Sequence, residues 1–228
     1  VVALTNGNYV VASPQWSNAD PLADGTPNLV ANVGAVTWRD GGTANPDVVS
    51  TTNSLHGSSS GDRVGNGGAD MNFDLGAGFV GAGVVALSNG NYVVVSPNWS
   101  NAEDPTNPIG SVGAVTWRDG YGPSSGAVGS TNSLIGASAF DYLGASGITP
   151  LATGDYAITS PFFSKNGLVS SGAVWVASGS PDSNLQASSI AVAVDQTLTL
   201  QADHDITVNA PVLVDGTLVL DAGNDITL

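Results

Sequence analysis

Residues 84–99 of this chain read VVALSNGNYVVVSPNW, and residues 1–16 repeat that stretch with changes at only three positions. A third, more divergent copy, ITPLATGDYAITSPFF, spans residues 148–163. In each copy, two short apolar runs flank a turn that contains glycine, which is the pattern of a β-hairpin. Because such a unit cannot bury its apolar face alone, its recurrence predicts a repeat protein in which neighbouring units cover one another.

Each unit continues beyond its hairpin. GAVTWRDG at residues 34–41 recurs at residues 113–120, and the same displacement along the chain relates Asp62 to Asp141. About four short strands per unit are typical of a propeller blade, and no stretch has helical periodicity. We therefore predict an all-β fold of propeller-blade-like antiparallel repeats. The predicted first domain, 1–180, contains repeats at about residues 1–68, 84–147 and 148–180, with an insertion at 69–83.

The last part of the chain has a different period. The segment LTLQADHDITV at residues 198–208 recurs in similar form, LVLDAGNDITL, at residues 218–228, which is an offset of 20. Short alternating strands at this period, broken by Asp, Gly and Asn, are typical of the coils of a parallel β-helix. We predict the start of such a β-helix over 181–228. The residues expected to stack in register are Leu198 on Leu218, Leu200 on Leu220 and Ile206 on Ile226.

The composition excludes several classes of partner. With 19 acidic and four basic residues, the formal net charge is −15, which argues against binding to nucleic acid or to anionic membrane surfaces. No apolar run approaches the roughly 20 residues of a transmembrane helix, so membrane insertion is not predicted. The chain has no cysteine, which excludes disulfides and thiolate sites. It begins and ends within a repeat, so we expect it to be part of a larger fibrous chain.

Short motifs follow one another in a fixed order through the second and third units. They are Leu134-Ile135-Gly136, Tyr142-Leu143-Gly144, the hairpin at Gly154-Asp155, Ser160-Pro161 and Gly172-Ala173-Val174-Trp175-Val176. This order resembles the FG-GAP repeats of integrin-α-type β-propellers, and the resemblance implies a propeller over about residues 1–180. The chain departs from that family in the hairpin. Its turns at residues 5–8, 88–91 and 153–155 lack the carboxylates of a calcium loop, so metal binding is not transferred to them.

The repeated phrase in residues 197–228 resembles the shaft of filamentous-haemagglutinin-like exoproteins, which are large two-partner-secreted adhesins of Gram-negative bacteria. The resemblance implies a non-enzymatic structural or adhesive segment, secreted to the bacterial cell surface or into the extracellular biofilm matrix. It also implies a glycan or a cell-surface protein as partner. We expect binding through the loops that differ between repeats, at residues 19–32, 102–111 and 164–171.

Aromatic residues recur at equivalent positions. Trp16, Trp99 and Phe163 follow the Ser-Pro element of successive units, while Trp38 and Trp117 lie in the GAVTWRDG motif. Such residues either form a core between repeats or serve as platforms on which sugars stack. Because they recur at strand ends, the core interpretation is favoured. Trp16, Trp99 and Phe163 are the candidate ligand-binding residues, since each stands at the mouth of a variable loop.

Asp70, Asn72 and Asp74 place oxygen ligands at alternate positions, which is the spacing of a calcium loop. Met71 and Phe73 alternate with them, so a half-buried strand explains the pattern equally well. Both interpretations stay open at this stage. No other cofactor is predicted.

No catalytic residues are predicted, and the chain is not expected to be an enzyme. Asp40 and Asp119 each precede a glycine, where aspartate commonly caps a turn through its own side chain. His56 is replaced by Ile135 in the second unit, so no nucleophile and base can be paired. The alternative function is a carbohydrate-binding lectin, or a carbohydrate-active enzyme that uses loop Trp and Asp residues at a propeller mouth.

Overall fold

The fold is described here from a computed structural model. The described residues are 1–19, 29–43, 47–67, 82–165, 167–180, 185–187, 190–192, 197–202, 206–208, 212–222 and 226–227. Within them, every regular element is a β-strand and there is no helix, so the prediction of an all-β fold is confirmed. Among these residues, no helix has the length and apolar character needed to cross a membrane.

The first two repeats each form an antiparallel sheet of four strands in chain order. The strands of repeat 1 are β1 (Val2–Ala3), β2 (Tyr9–Ser13), β3 (Ala35–Arg39) and β4 (Leu55–His56). Those of repeat 2 are β5 (Val84–Ala86), β6 (Tyr92–Ser96), β7 (Ala114–Arg118) and β9 (Leu134–Ile135). Strand β8 (Gly126–Ala127) lies between β7 and β9 in the sequence.

The three hairpins have the same register. Ala3 lies opposite Tyr9 in repeat 1, and Ala86 lies opposite Tyr92 in repeat 2. In the third unit, β10 (Ile148–Pro150) pairs with β11 (Tyr156–Ser160) so that Pro150 lies opposite Tyr156. The hairpins are closed by Gly7, Gly90 and Gly154, each with a φ near +90°, which glycine adopts without the steric cost of a Cβ. The alignment of the three copies in the sequence therefore predicted equivalent hairpins correctly.

Repeat 2 contributes a strand to the sheet of repeat 1. Strand β8 belongs to repeat 2 in the sequence, but it pairs in parallel with β4 at the edge of the repeat 1 sheet. Leu55 lies opposite Gly126, and His56 lies opposite Ala127. The main-chain N–H of Val128 donates to the carbonyl of His56 at 2.9 Å. The added strand covers β4, which would otherwise be the edge of the repeat 1 sheet, and joins the two repeats through main-chain hydrogen bonds.

The sheets are held together by apolar clusters between successive repeats. Side chains alternate along a strand, so Tyr92 and Val94 of β6 belong to the cluster shared with repeat 1, which includes Val10. Val93 belongs to the cluster shared with repeat 3, which includes Ile158. All five residues of β6 are buried, as expected for a strand covered on both faces.

The third repeat ends differently from the first two. Strand β12 (Ala173–Ala177) pairs antiparallel with β11, but its other edge receives a parallel strand from the tail. The tail strands are β13 (Leu185–Ala187), β14 (Ile190–Val192), β15 (Thr197–Ala202), β16 (Ile206–Val208), β17 (Val212–Val214), β18 (Thr217–Ala222) and β19 (Ile226–Thr227). Because β15 pairs with β12, the repeat sheet continues without a break into the tail.

All described pairings within the tail are parallel. Strand β15 pairs with β18, β13 with β16, β16 with β19, and β14 with β17. In these ladders Leu198 lies opposite Leu218, Leu200 opposite Leu220 and Ile206 opposite Ile226. The register predicted from the repeated phrase of the tail is therefore confirmed.

Candidate functional site

The main polar contact between repeats 1 and 2 converges on one carbonyl group, that of Gly120. It accepts hydrogen bonds from Asn6 Nδ2 at 2.8 Å, Asn8 Nδ2 at 2.9 Å and the indole N–H of Trp38 at 2.8 Å. Two of these donors flank the hairpin glycine of repeat 1, and the third lies on β3. We refer to three such donors on one glycine carbonyl as a carbonyl clasp.

The same arrangement joins repeats 2 and 3. The carbonyl of Gly179 accepts from Asn89 Nδ2 at 2.8 Å, Asn91 Nδ2 at 2.9 Å and the indole N–H of Trp117 at 2.7 Å. The clasp thus recurs at equivalent positions, although the accepting motif has changed from Arg-Asp-Gly to Ala-Ser-Gly. The clasps are part of the repeated architecture.

Glycine is required at each accepting position by the close approach of the main chain. A Cβ on Gly120 would lie 1.8 Å from the carbonyl oxygen of Gly90, and a Cβ on Gly179 would lie 1.8 Å from that of Gly154. The hairpin turn of a repeat therefore rests directly on the end of its third strand. This contact holds the carbonyl where the donors of the preceding repeat reach it.

Repeat 3 has lost the donor set of the clasp. The register places Thr153, Asp155 and Val176 at the positions of Asn89, Asn91 and Trp117. Val176 has no polar atom on its side chain, and a carboxylate such as Asp155 accepts hydrogen bonds rather than donating them. Repeat 3 can therefore receive a clasp from repeat 2 but cannot form one onto a further repeat.

We expect the indole N–H of the clasp to contribute measurably to stability. Trp117→Phe keeps an aromatic ring but removes one donor from the carbonyl of Gly179, and should lower the free energy of unfolding by about 1–2 kcal/mol in urea denaturation. Trp16→Phe is the matched control, because Trp16 is also partly buried and its indole N–H has no partner among the described residues. Equal losses in the two variants would show that the indole hydrogen bond adds nothing.

A second recurring contact between repeats is made by a buried carboxylate. Asp62 accepts from the N–H groups of Ser58 and Ser59 in its own turn and from Ser100 N of repeat 2, at 2.7–3.1 Å. The carboxylate is fully buried. Asp62 therefore caps its turn and in addition holds the chain that follows Trp99 in the next repeat.

Asp141 forms the same set of bonds between repeats 2 and 3. It accepts from Ala137 N and Ser138 N in its own turn, and from Ser164 N of repeat 3 at 2.9 Å. Its exposed fraction is zero. Each pair of neighbouring repeats is thus joined by one carbonyl clasp and one buried aspartate.

Burial raises the pKa of Asp62 to about 6, against the opposing effect of the hydrogen bonds from Ser59, Ser100 and Ser58. The folded state therefore binds a proton more tightly than the unfolded chain, so the free energy of unfolding falls as the pH rises from about 4 to about 6. We expect wild type to lose about 2 kcal/mol relative to Asp62→Asn across this range.

Denaturation curves of the two proteins at pH 4, 5, 6 and 7 measure this difference. Glu103 and Asp104 have pKa values lowered by hydrogen bonds from Ser130 and Thr106, and their contribution changes in the opposite direction. It is shared by both proteins and cancels in the comparison. A difference that is constant with pH, or that grows in favour of wild type, would contradict the assignment.

The predicted aromatic positions lie in three different environments. Trp99 is 2% exposed and belongs to the cluster between repeats 1 and 2. Phe163 stands edge-on to Trp175, with 4.9 Å between ring centroids. Trp16 is partly exposed and lies 6.4 Å from His56, also edge-on. The buried positions serve as core between repeats, and the ligand-binding role of the three residues stays a prediction.

Trp38 and Trp117 have equivalent surroundings, as expected from their motif. Each lies on the third strand opposite a valine of the hairpin, Val10 or Val93, and packs at the margin of the cluster that faces the following repeat. Both are partly rather than fully buried, and the indole N–H of each donates to a clasp carbonyl.

The predicted calcium ligands Asp70, Asn72 and Asp74 lie outside the described residues. Among the described residues, no group of three or more His, Cys, Asp or Glu side chains is arranged to hold a metal ion. Asp40 Oδ1 accepts from Gly42 N and Asp119 Oδ1 accepts from Tyr121 N. These two aspartates therefore cap turns, as the sequence suggested.

A cleft of about 350 Å³ lies between repeats 2 and 3, which is within the size range of small-molecule sites. Trp117 and Tyr156 contribute aromatic surface, while Ser130, Thr131 and Ser178 contribute polar groups. No Asp or Glu is among the lining residues of this described cleft. The combination suits the apolar face and hydroxyl groups of a sugar.

One of the predicted binding loops is fastened to this cleft. The carboxylate of Glu103, in the loop at residues 102–111, accepts from both the N–H and the hydroxyl of Ser130 at 2.6 Å. Asp104 stabilises the same loop by accepting from the N–H and hydroxyl of Thr106. The loop is thereby held at the rim in a defined conformation, which reduces the entropy lost on binding.

Comparison with known families identifies the repeats. A family model described as a repeat of unknown function (DUF5650) matches residues 3–66 and 86–145, which together exceed half of the chain. The chain belongs to this family. No curated protein matches it. The two DUF5650 matches begin in β1 and β5 and extend past Asp62 and Asp141, so each matched segment includes a donor set for the clasp and one buried aspartate.

Proposed function

We propose that this DUF5650 chain is a non-catalytic structural and adhesive segment of a larger secreted bacterial protein of the cell surface or biofilm matrix. The observation that carries the proposal is the interlocking of successive repeats. Each junction combines an apolar cluster, a carbonyl clasp and a buried aspartate. The junction between repeats 1 and 2 also contains the pairing of β8 with β4. Such an array resists separation and carries its loops at fixed spacings.

The strand pairing supports the finer description of the fold that we propose. Antiparallel units of three or four strands, stacked face to face, are consistent with blades of the FG-GAP type. In the tail, three ladders alternate along the chain, in the order β13, β14, β15, then β16, β17, β18. This cyclic order is that of coils in a β-helix. It supports the proposed kinship with filamentous-haemagglutinin-like shafts.

The proposed ligand is a glycan bound in the cleft between repeats 2 and 3. The cleft offers aromatic surface from Trp117, hydroxyl groups from Ser130 and Thr131, and a loop tethered through Glu103. Hydrolysis of a glycosidic bond normally requires two carboxyl groups flanking that bond. Because carboxylates are absent from the lining of the described cleft, its geometry favours binding over cleavage. Affinity per site is expected to be modest and to rise with repetition along a fibre.

A glycan array probed with the multimerised full chain tests this proposal. The blocking variant is Thr131→Arg, which places a long side chain at the exposed rim of the cleft. The matched control is Thr52→Arg, because Thr52 is the exposed equivalent in repeat 1 and lies away from the cleft. We expect binding that is lost in the first variant and retained in the second.

The same preparation separates binding from catalysis. Any glycan that binds is incubated with the chain, and the products are analysed by mass spectrometry. Cleavage that disappears in Asp40→Asn or Asp119→Asn would replace the adhesive proposal with the carbohydrate-active enzyme. Binding that is unaffected by Thr131→Arg would assign the ligand to another surface. A failure to bind any glycan on the array would overturn the proposal of a glycan ligand.

A further inference from the structure

Repeat 1 presents a face whose equivalents in repeats 2 and 3 are covered by the preceding repeat. In repeat 2, Ser96 Oγ accepts from Gly65 N at 3.2 Å, and in repeat 3, Ser160 Oγ accepts from Gly144 N at 2.8 Å. The equivalent hydroxyl in repeat 1 is that of Ser13. In the described part of the chain, no main-chain N–H donates to it.

Two other polar groups on this face follow the same pattern. The N–H groups of Ser100 and Ser164 donate to the buried aspartates of the preceding repeats, and their equivalent is Ser17 N. The carbonyl groups of Gly120 and Gly179 receive the clasps, and their equivalent is the carbonyl of Gly41. Neither group of repeat 1 has a hydrogen-bond partner among the residues that the structure describes.

The apolar side chains of the face show the same difference. Tyr92 and Val94 are completely buried under repeat 1, whereas their equivalents Tyr9 and Val11 are partly exposed. Trp99 is buried, whereas Trp16 is partly exposed. Apolar side chains and polar groups of repeat 1 are thus left uncovered together, in the pattern that an adjacent repeat covers elsewhere in the chain.

We propose that this face, formed by Tyr9, Val11, Ser13, Ser17 and Gly41, is a docking surface for another DUF5650 repeat. That repeat would pack against repeat 1 in the same way that repeat 1 packs against repeat 2. Its side chains must supply the missing partners: two asparagines flanking a hairpin glycine, a tryptophan on the third strand and a buried aspartate. The docking surface continues an interface already formed twice within this chain.

The donor sets of this chain leave a second copy of it without the clasp that would occupy this face. The donors of repeat 1 are engaged by Gly120 and those of repeat 2 by Gly179. At the other end, repeat 3 carries Thr153 and Asp155 in place of the two asparagines. Docking therefore has a direction: the array accepts a further repeat on repeat 1, whereas on repeat 3 its sheet continues into the parallel tail.

A tandem extension of the full chain tests the docking surface. A copy of residues 1–83 is fused ahead of Val1, which reproduces the natural spacing between Val1 and Val84. Amide hydrogen exchange of Ser17 and acrylamide quenching of Trp16 are measured before and after the extension. We expect Ser17 exchange to slow at least about tenfold, because its N–H gains a buried partner, and quenching of Trp16 to decrease.

The matched control carries Asn6→Thr, Asn8→Asp and Trp38→Val in the added copy only, which is the set of residues found in repeat 3. A milder variant, Asn6→Ala in the added copy, guards against loss of folding in the first. Both should protect Ser17 less than the intact copy does. Equal protection by all three copies, or none by the intact copy, would overturn the proposal.

Two results with the unextended chain would also overturn it. If Ser17 already exchanges as slowly as Ser100, the face is covered by residues of the same chain. If Ser17 becomes protected as the protein concentration rises, and sedimentation shows a dimer forming in parallel, the occupant is a second copy. A monomer with a rapidly exchanging Ser17 supports the assigned docking surface.

Discussion

Replacing Asp141 with alanine should lower the free energy of unfolding by about 3–5 kcal/mol. The substitution removes a fully buried carboxylate and leaves the N–H groups of Ala137, Ser138 and Ser164 without their acceptor. Two of these donors lie in the turn of repeat 2 and the third lies in repeat 3. The variant therefore weakens both a turn and the junction between two repeats. Urea denaturation followed by tryptophan fluorescence measures the loss.

Asp119→Ala is the matched control for this prediction. Asp119 is also an aspartate of repeat 2, but the bond it accepts, from Tyr121 N, lies at an exposed turn. Its replacement should change the free energy of unfolding by less than about 1 kcal/mol. Similar losses in the two variants would contradict the role that we assign to Asp141 at the junction.

Replacing Gly120 with alanine should be comparably severe, with an expected loss of about 3–4 kcal/mol. The added methyl group would lie 1.8 Å from the carbonyl oxygen of Gly90, and a main-chain atom cannot move aside as the end of a flexible side chain can. Relieving the overlap requires the hairpin to separate from the third strand. That movement also displaces the carbonyl on which Asn6, Asn8 and Trp38 converge.

Gly122→Ala provides the comparison within the same turn region. Apart from its own chain neighbours, no residue comes within 4 Å of a Cβ at Gly122, so the same chemical change at this nearby position meets open space. We expect its thermal midpoint to stay within a few degrees of wild type, while that of Gly120→Ala falls clearly. A Gly120→Ala protein as stable as Gly122→Ala would show that the hairpin does not rest on this glycine.

The sequence predicted the local elements of this protein well. The turns around Gly7, Gly90 and Gly154 indicated hairpins, and the alignment of the copies indicated that the hairpins share one register. The short period of the tail likewise predicted which leucines and isoleucines face one another there. These predictions depend on turn chemistry and side-chain alternation, which act over short stretches and are therefore readable from the chain alone.

The sequence did not predict the carbonyl clasps, although it predicted the hairpin and the strand that carry their donors. The turn at residues 5–8 indicates only a hairpin and the repeated motif of Trp38 favours a core position, since asparagine and tryptophan have these roles in many β-proteins. The common acceptor of these donors, Gly120, lies in the following repeat, far along the chain. A signal was nevertheless present: the two asparagines and the tryptophan are kept together in repeats 1 and 2 and are replaced together in repeat 3.

Trp16 and Trp99 show most clearly what the sequence determines and what only the tertiary structure decides. They occupy the same position of the same motif, and the sequence alone determined that both follow a hairpin at a strand end. Only the tertiary structure decided that Trp99 is buried and that Trp16 is partly exposed. The physical reason is that hairpins form from local preferences, whereas burial depends on which neighbour packs against the sheet. Repeat 2 has a repeat on each side, and among the described residues repeat 1 has one on only one side.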